Sequence, residues 1–143
     1  MTRIITTLAP LAPALLLSAC MVVPDPVSTP PAPEGSSVAL GQRVRVGELS
    51  VTPVRVVEDS RCPINARCVW AGRLIVATQI DGAGWRDTAN ITLGESYGTH
   101  GRIVALVSGE PGKVTDHETR AEDYRFNYEA GWNVGTDPGP PLQ

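Results

Sequence analysis

The residues with the most chemistry in this chain stand close together. They fall in Glu58-Asp59-Ser60-Arg61-Cys62-Pro63-Ile64-Asn65-Ala66-Arg67-Cys68-Val69-Trp70-Ala71-Gly72. Two thiols with five residues between them can close a small ring, ligate a metal or exchange electrons. Arg61 and Arg67 carry planar guanidinium forks, which suit carboxylates and phosphates. Asp59 can neutralise one of them, and Trp70 adds a flat apolar face with a polar edge. Pro63 stiffens the segment, Asn65 tolerates the left-handed backbone of a tight turn, and Gly72 permits a bend.

The remaining candidates for metal or catalytic chemistry are His100 and His117. They stand in different predicted loops and form no motif with each other. The gap between Cys62 and Cys68 is wider than the two-to-four residues common in zinc sites. The chain has no Gly-x-Ser-x-Gly elbow, no phosphate-cradling glycine loop and no Cys-x-x-Cys pair. No cofactor and no metal site is expected. A small periplasmic enzyme or metal handler using His100 or His117 is the alternative to a binding or structural role.

The compartment decides the state of the thiols. Arg3 opens a leader whose apolar run, Ile4 to Leu17, is 14 residues long. A membrane span needs about 20. The run ends in Leu17-Ser18-Ala19-Cys20, which resembles the lipobox of bacterial lipoproteins. The resemblance implies cleavage before Cys20, a diacylglycerol thioether on its sulfur and a further acyl chain such as palmitate on the new amine. Two or more chains anchor a protein stably. Met21 stands where an aspartate would favour inner-membrane retention, so the expected location is the bacterial outer membrane, facing the periplasm. A formal net charge of −3 gives no basic stripe for nucleic acid.

In an oxidising envelope with Cys20 acylated, Cys62 and Cys68 are the pair left to form a disulfide. A ring this small contributes roughly 2.4 kcal/mol in the chain-entropy model, less any strain. The pattern Glu-Asp-Ser-Arg-Cys-Pro, a short gap, then Cys-Val-Trp-Ala-Gly resembles a motif of small bacterial envelope proteins. In that group a β-rich segment leads into the motif and a tyrosine-containing strand follows near the C-terminus. The resemblance implies a class and no chemistry.

The elements that must position this loop read as strands. Residues 1–19 are the leader, and residues 20–37 are the lipidated cysteine and a proline-rich tether, too polar to offset its ordering entropy. Residues 38–134 form the β domain and residues 135–143 a tail. Val44 and Val46 alternate with Arg43 and Arg45; Gly47-Glu48 turns. Leu49 to Val57 is a strand in which Pro53 shifts the register, leaving Val54 and Val56 on the inner face. Arg73 to Ile80 and Trp85 to Leu93 flank a hairpin at residues 81–84. Residues 94–101 read as a loop, and Arg102 to Val107 as a central strand. Thr115 and Glu118 fit a capping box, without an apolar stripe behind it, so a polar loop with a helical turn is preferred. Tyr124, Phe126, Tyr128, Ala130 and Trp132 alternate with polar residues and give the cleanest strand signal. About six to eight short strands predict an all-β fold, an antiparallel β-sandwich or partly open barrel.

Two readings of the loop follow. In the first, Asp59 and Arg61 pair, the disulfide pins the crossover and Trp70 fills the core. In the second, Asp59, Arg61, Arg67 and Trp70 form a recognition surface for an envelope protein or an anionic ligand. Both give a non-enzymatic, lipid-anchored envelope protein whose other partner is the membrane.

Overall fold

Alternating apolar residues bury one face of each strand, and two such faces make a core. The computed structural model describes residues 29–131 and shows this arrangement. Its strands are β1 (Val44–Val46), β2 (Leu49–Asp59), β3 (Leu74–Gly82), β4 (Trp85–Thr92), β5 (Ser96–Thr99), β6 (Arg102–Glu110) and β7 (Arg125–Ala130). One antiparallel sheet has the order β1-β2-β3-β4 and the other β5-β6-β7. Each strand pairs with its sequence neighbour, so the fold is two meanders packed as a sandwich. Among the described residues no helix is long and apolar enough to cross a membrane. The leader, Cys20, residues 21–28 of the tether, residues 132–134 with Trp132, and the tail lie outside the described residues.

The core is built from the residues that the alternation selects. Val51, Leu74, Val76 and Ile80 of the first sheet face Val104, Leu106, Phe126 and Tyr128 of the second, all fully buried. Thr78 is the polar member of this layer, and its Oγ1 lies 2.9 Å from the Tyr128 hydroxyl oxygen. That bond satisfies two buried hydroxyls across the sandwich. The sheets are stitched at both flanks. Leu93 N donates to Leu74 O and Gly94 N to Leu106 O, and Val38 exchanges backbone bonds with Phe126.

The register shift in β2 is present, one residue later than the sequence suggests. Pro53 stays on the inner face with Leu49 and Val51, and Val54 is the extra residue, pushed outward. Val56 turns inward as expected. Val57 and Val107 are further extra residues, at shifts in β2 and β6, and both are exposed.

Two elements differ from expectation. Residues 94–101 contain β5, a four-residue edge strand that no apolar run announces. The segment around Thr115 and Glu118 is a polar loop, as expected, and the Thr115 backbone N–H and hydroxyl are both given to Asn65 Oδ1. The expected helical turn is a single 3-10 turn at Ala121–Asp123. In β7 the inward set ends at Tyr128, and Ala130 is exposed.

Candidate functional site

The cysteine segment connects β2 to β3 at one end of the sandwich. It begins while β2 is still paired, since Glu58 lies opposite Ile75 and Asp59 opposite Leu74. Beyond them Ser60 N donates to Arg73 O and Cys62 N to Ala71 O, so the hairpin narrows before it opens into the ring. Gly72 makes the narrowing possible. Its φ is +67°, and a Cβ there would fall 1.8 Å from Ser60 O, so only glycine fits. Cys62 and Cys68 are joined, with Cα atoms 5.8 Å apart. Inside the ring Ala66 N donates to Pro63 O, closing the turn.

The ring is also fastened to the segment after β6. Ile64 N donates to Lys113 O, and Asn65 holds Thr115 as described. Below these contacts lies an ionic knot. Arg61 Nε and Nη2 each donate to an oxygen of Asp59 at 2.8 Å. Arg61 Nη1 donates to Gly109 O at 2.6 Å and Nη2 also to Pro111 O at 3.0 Å. Tyr124 donates its hydroxyl to Asp59 Oδ2, and Lys113 Nζ donates to Asp59 O. The two charged side chains keep only 16% and 9% of their surfaces exposed, so the pair is screened far less than a surface ion pair.

Burial works against the Asp59 carboxylate, but the bonds from Arg61 and Tyr124 outweigh it and hold its pKa below the ordinary value. The Asp59 hydrogen bond raises Arg61 in turn, against partial desolvation. Glu58 is lowered first by the Ser60 hydroxyl and then by Arg73, with slight desolvation opposing. Burial and the Asp59 bond push Tyr124 up.

The four residues of the recognition reading therefore separate. Asp59 and Arg61 are consumed by the knot. Arg67 is exposed and has no ion-pair or hydrogen-bond partner among the described residues. Trp70 does not fill the core: it is 81% exposed. With it stand Val69 at 92% and Ile64 at 77%, the three most exposed large apolar side chains among the described residues. The disulfide loop thus carries three exposed apolar side chains and one guanidinium without a partner among the described residues.

Sequence reasoning missed Lys113, Tyr124 and Asn65 as parts of this site. Asn65 carried a turn signal, but its bond reaches 50 residues ahead. Tyr124 read as core, and nothing in the sequence ties its hydroxyl to Asp59, 65 residues away.

Two other places hold polar groups together. A cleft of about 450 Å³ beside the knot is lined by Leu40, Arg55, Val56, Lys113, Glu118 and Tyr124. At the opposite end of the sandwich His100 stacks on Trp85, with ring centroids 3.9 Å apart. Thr99 Oγ1 lies 2.8 Å from His100 Nδ1 and donates to Asp87 Oδ2. His117 lies in the segment between β6 and β7, near the cysteine loop, so the two histidines do not converge. Among the described residues no three His, Cys, Asp or Glu side chains gather as a metal site.

No family model, no curated protein and no solved structure matches the chain.

Proposed function

We propose that this protein is a lipid-anchored component of the bacterial cell envelope. Its role is non-enzymatic recognition, and the disulfide loop is its contact surface. One observation carries the reading: Ile64, Val69 and Trp70 are exposed together on a loop that is fastened at three levels. Large apolar groups on a flexible loop would collapse onto the domain. Here the disulfide, the Asp59–Arg61 knot and the Asn65–Thr115 bonds hold them outward. Preorganisation of this kind lowers the ordering cost of binding. Trp and Arg are also the residue types that concentrate binding energy at interfaces. In this role Arg67 and Trp70 make the contact, and Asp59 and Arg61 position them.

The test is photo-crosslinking in the native cell. A photoreactive side chain placed at Val69 in the full chain is expected to give light-dependent adducts that Trp70→Ala abolishes. The same group at Arg45, an exposed position on the edge strand β1, serves as the reference. His100→Ala and His117→Ala are expected to leave the adducts unchanged. If position 69 gives no adduct above the reference, the loop is a structural staple only.

A further inference from the structure

The loop's composition and the path of the chain identify what it touches. Among the described residues its three apolar side chains are far more exposed than Val54, Val57 and Val107, which are scattered single bulge residues. Two acids at the base of the loop are paired, Asp59 with Arg61 and Glu58 with Arg73. Arg67 remains as a free positive charge. A tryptophan with apolar neighbours and a basic group is the composition that settles at a membrane–water boundary.

The direction of the N-terminal segment brings that boundary to the loop. Ala32 pairs in parallel with Val44, and β1 runs from Val44, opposite Val51, to Val46, opposite Leu49. β2 runs the other way, from Leu49 to Asp59 at the loop. Traced backwards from Ala32, the chain therefore heads toward the loop end of the sandwich. The distance along β2 from Val51 to Asp59 is about 26 Å at the usual strand rise. The nine residue-to-residue steps from Cys20 to Thr29 span at most about 30 Å when extended. The direction of the chain at Ala32 thus points an anchor at Cys20 toward the loop end, and the length of the tether puts the plane that the loop tip faces within its reach.

We infer that the loop docks on the phospholipid surface of the leaflet holding the anchor, with Trp70, Val69 and Ile64 entering the boundary between headgroups and acyl chains and Arg67 meeting anionic headgroups. This rests on the lipid-anchor and recognition readings and names the partner of that same surface. A loop with three apolar side chains binds a bilayer weakly alone. The anchor supplies the effective concentration that makes the contact persistent. The docked loop fixes which face of the sandwich looks away from the membrane, so the His100–Trp85 end is presented to the periplasm.

The experiment uses the mature acylated protein with Trp85→Phe and Trp132→Phe, so that Trp70 is the sole indole. It is reconstituted into vesicles of phosphatidylethanolamine and phosphatidylglycerol. Lipids brominated about 5–10 Å below the headgroups, the depth of interfacial apolar groups, are expected to quench Trp70 by roughly half. The counterpart with Trp85 as sole indole (Trp70→Phe, Trp132→Phe) is expected to show no quenching. Ile64→Asp with Val69→Asp, which touches exposed positions only, is expected to abolish the quenching of Trp70. Unquenched Trp70 overturns the proposal, as does an intact mass showing no acyl chain on Cys20. If Trp70 is unquenched while the crosslinker at position 69 captures a protein, the recognition reading survives and the lipid partner does not. If both experiments are negative, both fall.

Discussion

Arg61 and Arg67 are six residues apart in one loop, and the structure gives them opposite roles. Arg61→Ala removes four hydrogen bonds, two to Asp59 and one each to the Gly109 and Pro111 carbonyls. Removing one partner of a fully buried pair costs about 3–5 kcal/mol. This pair keeps a little solvent contact, and Tyr124 still donates to the stranded Asp59, so a discounted loss of about 2–4 kcal/mol is expected. For a domain of this size each kcal/mol moves the melting temperature by about 4–8 °C, giving a fall of roughly 10–25 °C. Arg61→Lys keeps the charge but cannot bridge a carboxylate and two carbonyls at once, and is expected to recover less than half. Arg67→Ala, on an exposed side chain, is expected to stay within about 0.5 kcal/mol of the parent. Urea unfolding of the three variants at neutral pH, followed by circular dichroism, measures this directly. If Arg61→Ala lies within about 0.5 kcal/mol of the parent, or Arg67→Ala is equally damaging, the division of labour is wrong.

Three further outcomes follow from the same contacts. The Asp59 pKa is lower in the folded protein than its ordinary 3.8, so its contribution is complete above that value and is lost as pH falls through the folded pKa; thermal melts from pH 5 down to 2 are expected to drop less steeply in Asp59→Asn than in the parent, and equal slopes would dismiss the effect. Gly72→Ala forces a Cβ into the Ser60 carbonyl at positive φ and is expected to cost about 3 kcal/mol or more; a loss below about 1 kcal/mol would show that the hairpin relaxes easily. Thr78→Val leaves the Tyr128 hydroxyl buried without its partner and is expected to cost about 1–3 kcal/mol; adding Tyr128→Phe is expected to recover part of that, and a purely additive double variant would argue against the bond.

The fold was largely readable because period-two alternation is set by the backbone itself. Leu74, Val76 and Ile80 share a buried face, as do Phe126 and Tyr128. The exceptions have local causes. Pro53 signalled irregularity, but proline at an inward position costs little packing, and the unpaired residue became Val54. β5 escaped notice because Ser96-Tyr97-Gly98-Thr99 is an edge strand with no buried residue, and alternation needs a core on one side to be visible. The site was legible as a location and not as a set of roles. Guanidinium groups look alike in sequence; Arg61 is distinguished by carbonyls 48 and 50 residues away, and Arg67 by the lack of any such partner among the described residues. Trp70 reads as core because tryptophan usually is, yet it follows a ring already closed by its own bonds, and no strand register draws it inward.

The central claim is that the loop holds Trp70 outward for something else to cover. Iodide quenching of the sole-Trp70 protein tests it in two states, purified in detergent-free solution after enzymatic removal of the acyl chains, and in intact envelopes. The account predicts ready quenching in the purified protein and strong protection in the envelope. Protection in both states would mean that Trp70 packs on its own domain, and free access in both would mean that the loop has no partner there.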